Sequence, residues 1–194
     1  MGAVVFVRYG ERFAAVQKAR RIGYVFSGLW ALPGGMIRLP RGCEASLQQI
    51  EDAIRTRVRA ETNLALSDLS SVQLGPIVTR YVAKGRPRLT LVGALHVEAS
   101  SLGDLLPGDP SIQAAAWIAV PPKLATFAPA NQLILAHLLW PDLTVEAREQ
   151  MEAELQRALE ICVEVAACAG IARPEPPWAD ANDLDLWRDG WPGG

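Results

Sequence analysis

Two phrases joined by one helix constrain this chain more than any other feature. The first is Phe26-Ser27-Gly28-Leu29-Trp30-Ala31-Leu32-Pro33-Gly34-Gly35, and the second is Glu61-Thr62-Asn63-Leu64. Between them, Ile50, Ala53, Ile54, Val58 and Ala60 recur near helical spacing with charged residues interspersed, which predicts an amphipathic helix over 48–62.

The flanking sequence supplies a sheet. Ala3 to Val7 is β-branched and apolar, and suits a buried strand. Tyr9 to Arg12 is a turn, and Phe13 to Gln17 returns as the second arm of a hairpin. Lys18, Arg20 and Arg21 follow in a loop, which reads either as a solvated turn or as a phosphate-binding patch. Two longer strands are expected at 72–82 and 89–97, joined by Gly85-Arg86-Pro87. A loop at 99–112, a short strand at 114–120 and an apolar helix at 131–139 complete the pattern. Residues 144–169 read as one long helix, with Thr144 as N-cap, Glu146 in the positive first turn and Gly170 after the end. Residues 171–194 form a tail rich in Pro, Asp and Trp.

Composition narrows the class. The 194 residues are 50% hydrophobic and 21% charged, as in a globular protein. Lys and Arg number 19 against 21 Asp and Glu, a net charge of −2. That balance argues against nucleic acid as a partner, because such binding needs concentrated positive charge. No apolar run approaches the roughly 18 residues of a membrane span, and the first residues lack the order of a signal peptide. The three cysteines, Cys43, Cys162 and Cys168, follow no metal-ligand spacing. A reducing cytoplasm is the expected location.

The two phrases and the helix between them resemble the signature of the Nudix superfamily. Gly28-Leu29-Trp30-Ala31-Leu32-Pro33-Gly34-Gly35 is similar to the start of its signature loop, and Glu61-Thr62-Asn63-Leu64 to the Glu-Thr-Gly-Leu that closes its signature helix. The resemblance extends over residues 1–140. It implies an α/β/α sandwich with a mixed β-sheet, carrying here a long C-terminal helix at 144–169 and the acidic, Trp-rich tail at 171–194. It also implies a loop–helix–loop that holds Mg²⁺ or Mn²⁺ against a diphosphate. Such a metal takes oxygen ligands, and it lowers the pKa of an attacking water.

The sequence departs from that pattern at the ligands. The resemblance places helix acids at positions 57, 60 and 61, with another before the helix at 48. These positions hold Arg57, Ala60, Glu61 and Gln48. The closing Gly is Asn63, which can still enter the left-handed conformation, and the loop before the helix is about seven residues longer than the family pattern. Arg57 lies one helical turn before Glu61, so the two can pair. It puts a fixed cation where the family puts a metal, and a cation repels Mg²⁺ while attracting phosphate. The competing reading is a plain surface ion pair. Glu44, in the lengthened loop, is the one acid placed to complete a metal site with Glu61.

The expected site is therefore Glu61 and Glu44 as candidate catalytic residues, with Glu61 as the metal ligand. Trp30, Gly34, Gly35, Arg38 and Arg57 are the candidate ligand-binding residues. The first functional expectation is a domain that binds a nucleotide or other phosphorylated small molecule, with metal-dependent hydrolysis impaired. The alternatives are a working hydrolase with relocated acids, using Mg²⁺ or Mn²⁺ on a nucleoside diphosphate linked to another group, and a metal-independent biosynthetic enzyme reusing the pocket. The stripe Met151, Leu155, Ala158 and Cys162 either packs on its own domain or forms a homodimer or partner interface. Trp178, Trp187 and Trp191, spaced by acids, suit fold-back onto the domain or docking into a partner's groove.

Overall fold

A computed structural model describes residues 2–22, 27–36, 47–66, 75–83, 86–99 and 102–155. Arg38, Glu44, the three cysteines, the second half of the expected 144–169 helix and the tail lie outside these residues. The chain forms two compact units. One comprises 1–74 and 93–120, the other 75–92 and 121–194.

The first unit is built on strands β1 (Gly2–Tyr9) and β2 (Arg12–Lys18). The hairpin between them turns on Gly10, whose φ of +55° is a conformation that glycine enters without strain. Arg8 faces Phe13 and Tyr9 faces Arg12 across it. Phe13, Ala14, Ala15 and Val16 are all buried, which explains why β2 reads as an unbroken apolar run.

The Trp-Ala-Leu-Pro-Gly-Gly phrase is stitched onto this hairpin by two very short strands. Strand β3 (Trp30–Ala31) pairs with β2, setting Val16 against Ala31 and Gln17 against Trp30. Strand β4 (Gly34–Met36) pairs with β1, setting Ala3 against Gly35 and Val4 against Gly34. Between them the Val5 amide donates to the Pro33 carbonyl at 2.8 Å. These strands are invisible to patterning because two or three residues carry no period. Their pairing comes from the neighbouring strands.

Helix α1 (Leu47–Thr62) packs Ile54 and Val58 onto Val5, Val7 and Ala14 of the sheet. Its buried stripe continues by 3.6-residue periodicity through Glu61 and Thr62. Asn63 ends it at φ +62°, with its amide donating to the Arg59 carbonyl at 2.8 Å, the left-handed stop expected of that residue. Strand β7 (Ile112–Ala119) pairs antiparallel along the whole of β2. The segment before it, 102–111, passes over the end of α1, and the Leu106 and Gly108 amides donate to the carbonyls of Thr62 and Ala60. Those are helix-terminal acceptors that α1 cannot satisfy itself.

In the second unit, strand β5 (Gly75–Ala83) neighbours β6 (Arg86–Glu98), which runs on into the first unit. Helix α2 (Pro129–Leu139) starts with Pro at its first position, where the missing amide costs nothing. Gln132, Leu133, Ile134, Leu135, Ala136 and Leu139 are all buried, so α2 is a core helix rather than an amphipathic one.

A turn at Trp140–Asp142 leads to a helix over 145–155. Thr144 caps this helix, its Oγ1 accepting from the Ala147 amide at 3.3 Å. Arg148 donates to the Trp140 and Pro141 carbonyls, and its guanidinium lies 5.5 Å from the centre of the Trp140 ring. Met151 and Leu155 are buried, so the described half of the stripe faces inward. Among the described residues no helix is long and apolar enough to cross a membrane.

Replacing Leu155 by Ala removes a fully buried side chain. It should cost about 2–5 kcal/mol, read as a fall in Tm by calorimetry. A change within 1 °C would mean that the helix over 145–155 is not anchored to its unit.

Candidate functional site

The site is organised around a carboxylate on a core-facing helical stripe. Glu61 lies seven residues after Ile54 and three after Val58, so the turn of α1 that buries those residues also buries Glu61, to 0% exposure. A carboxylate there is tolerable only if every lone pair finds a donor. One oxygen, Oε2, accepts the Gly34 amide at 2.8 Å. The other, Oε1, faces Lys18 Nζ at 3.3 Å and Arg57 Nε at 3.6 Å.

Each partner arrives for a local reason. Gly34 sits at φ +135°, which presents its amide inward while β4 pairs outward with β1. Lys18 ends β2. By strand alternation it shares a face with Ala14, which packs on α1. The register with β7 shifts there, with Gln17 opposite Ala114 and Lys18 opposite Ile112, so the extra residue lies on β7 and the alternation of β2 runs through to Lys18. Arg57 lies one turn before Glu61 on the same helix. Gly35 allows the guanidinium close to the loop, since a Cβ at Gly35 would stand 3.3 Å from Arg57 Nε.

A second acid joins from the loop before β7. Asp109 Oδ2 accepts from Arg57 Nη1 at 3.0 Å, and its Oδ1 accepts the Ser111 amide at 2.7 Å. The Ser111 hydrogen bond is the main cause of a carboxyl pKa below the ordinary 3.8, with Arg57 and Lys18 adding to it against the opposing effect of burial. Arg21 closes the same corner, its Nη2 donating to the Pro110 carbonyl at 3.0 Å. Lys18, Glu61, Arg57 and Asp109 thus form a continuous ion-pair chain. Arg57 is its open member, with a side chain 44% exposed against 14% for Lys18 and Asp109.

Of the sequence-derived candidates, the structure brings Gly34, Gly35, Arg57 and Glu61 together. Trp30 is half-buried on β3, opposite Gln17. Arg38 and Glu44 lie outside the described residues. Gln48 belongs to the first turn of α1 and donates to Asp52 on the helix surface at 3.0 Å. Sequence reasoning placed Lys18 only in a loop and did not single out Asp109. The alternation of β2 set against the helical stripe was the signal for Lys18. No sequence signal foretells Asp109, which lies 52 positions from Arg57.

The described residues do not fit a divalent cation at Glu61. Mg²⁺ and Mn²⁺ need several oxygen ligands, whereas Glu61 is already met by an amide and two cations. Among the described residues no three His, Cys, Asp or Glu side chains gather at a metal-holding distance. What the cluster can do is hold one guanidinium rigidly beside a glycine-rich loop.

No family profile matches the chain, and no curated protein matches it. Solved structures do. The MutT Nudix hydrolase of Burkholderia pseudomallei is 19% identical, with a TM-score of 0.51 over 69% of this chain and 93% of that one. A bifunctional NMN adenylyltransferase/ADP ribose pyrophosphatase of Francisella tularensis, crystallised with AMP and a Mn ion, is 21% identical, also with a TM-score of 0.51. That match covers 73% of this chain but only 41% of the larger protein. The chain therefore has a Nudix-like fold.

Two predictions follow the geometry of the cluster. Changing Glu61 to Gln keeps the shape but sets an uncharged amide against Lys18 and Arg57. Breaking a buried charge pair typically costs about 3–5 kcal/mol, so Tm should fall by roughly 6–20 °C, and a calorimetric scan showing no fall would refute the clamp. The second concerns acid. A carboxylate whose folded pKa lies below its unfolded value stabilises the fold above that unfolded value, and the contribution fades as pH falls. Asp109 should therefore contribute above pH 3.8 and progressively less below it. Asp109→Asn should flatten the acid limb of the Tm–pH curve below about pH 4, and a parallel curve would exclude the effect.

Proposed function

We propose that this protein binds a nucleotide or another phosphorylated small molecule at the Gly34-Gly35 loop and Arg57, with metal-dependent diphosphate hydrolysis impaired. The observation that carries the reading is Arg57 itself. It stands where the Nudix resemblance expects a metal-binding acid, it is half-exposed, and Glu61 and Asp109 hold it in place. A guanidinium offers phosphate two parallel donors without the protein having to recruit a metal. Arg20 and Arg21, exposed on the loop after Lys18, add positive charge on the same unit. In the similar F. tularensis enzyme the bound nucleotide is AMP and the metal is Mn, which supports a nucleotide as the ligand class.

The second reading is a working hydrolase. The Nudix-like fold and the intact phrase from Trp30 to Gly35 favour it, with Glu44 as the acid that would complete the metal set. One experiment separates the two. ADP is titrated calorimetrically into the full chain, first in EDTA and then in Mg²⁺ or Mn²⁺, while phosphate release from nucleoside triphosphates, dinucleotides and nucleotide sugars is followed in parallel. Binding that is unchanged by EDTA, and at least tenfold weaker (about 1.4 kcal/mol) in Arg57→Ala, is the expected result. Turnover that requires metal and disappears in Glu61→Gln would establish the hydrolase instead.

A further inference from the structure

The ion-pair chain is electrically closed among its own four members: Lys18 and Arg57 against Glu61 and Asp109. An anion approaching Arg57 meets a cluster without net charge, in which an acid already holds the guanidinium. Glu61 cannot give way, because it is fully buried and tied to the Gly34 amide. Asp109 can. It sits on the loop before β7, and its described side-chain bonds are the Ser111 amide and Arg57 Nη1. It also occupies one of the two Arg57 donors that a phosphate would take side by side.

We propose that Asp109 is an internal competitor for the anion bound at Arg57: it fills the phosphate position in the free protein and sets the charge a ligand must bring to displace it. This inference rests on the phosphate-binding reading above. The carboxylate carries one negative charge, and it is held at 3.0 Å by Arg57 and at 2.7 Å by Ser111. A ligand group with a single charge offers Arg57 no advantage over it. A diphosphate, with more charge and more acceptor oxygens, does. Asp109 is thereby an affinity- and specificity-setting residue, and Arg57 is the residue it acts through.

The test titrates inorganic pyrophosphate in EDTA into four full-length proteins: the wild type, Asp109→Asn, Arg57→Ala and the double variant. Asn keeps an acceptor for the Ser111 amide and removes only the charge. Should Asp109→Asn fold poorly, Asp109→Ser repeats the measurement with a hydroxyl acceptor. The expected result is at least tenfold tighter binding by Asp109→Asn than by the wild type, and no such gain when Arg57 is Ala. Binding by Asp109→Asn alone, with none detectable in the wild type, supports the inference equally. Equal or weaker binding by Asp109→Asn, while the wild type binds, overturns this inference and leaves the phosphate-binding reading standing. A gain that persists without Arg57 also overturns it, since charge removal would then act at a distance. Binding by none of the four overturns both.

Discussion

A carboxylate removed from water has to be neutralised where it lies, and the local architecture of the first unit follows from how Glu61 is neutralised. Its position is dictated by helical periodicity, because a helix that buries Ile54 and Val58 must also bury residue 61. The Gly34 amide, Lys18 and Arg57 then have to converge on it. That requirement ties the glycine loop to the helix, and the end of β2 to both. The loop's two short strands hold it against β1 and β2, while the carboxylate fixes it from the helix side. The glycine loop is thus held at both its sheet face and its helix face. A plain hydrophobic contact would bring the loop near. A directed, charged hydrogen bond also fixes the orientation of the amide.

The same arrangement balances charge at this end of α1 from within the chain. A metal at such a site would compensate negative charge gathered at one end of a helix. Here Lys18 and Arg57 supply that compensation from within the chain. The residue before Glu61 on α1, Ala60, accepts the Gly108 amide on its backbone carbonyl at 2.9 Å. A Cβ at Gly108 would stand 3.2 Å from that carbonyl, so a small residue is needed for the close approach. The loop that crosses there carries Asp109, so the backbone contact and the second ion pair are parts of one connection.

How much of this could be read from the sequence depended on the range of the interaction. Strands β1, β2 and β7 and helices α1 and α2 follow from local apolar runs and, for α1, helical periodicity, and each lies within a few residues of its expected bounds. Asn63, where the resemblance expects Gly, takes the left-handed conformation that Asn can enter. The Arg57–Glu61 pair is local as well, being one helical turn. Strands β3 and β4 were not legible, since their two or three residues are ordered by partners rather than by propensity. The Lys18 contact needed two periodicities to be combined, with the strand's alternation setting a face and the helix's stripe supplying the acid. Asp109 needed the tertiary fold.

That gradient bears on how the site should be understood. The residues legible in sequence, Gly34, Gly35, Arg57 and Glu61, are the rigid part: a glycine loop, a buried acid and the cation between them. Asp109 is the part that tunes it, and it comes from a loop whose own sequence carries no signature. A buried pair such as Glu61 with Lys18 is costly to break and sets geometry. The Arg57–Asp109 pair is open only on the Arg57 side, with side chains 44% and 14% exposed, and solvent at the guanidinium weakens it. The two pairs therefore have different physical roles. The Glu61–Lys18 pair keeps the loop and helix in register, and the solvent-open guanidinium of Arg57 is where an outside anion can compete.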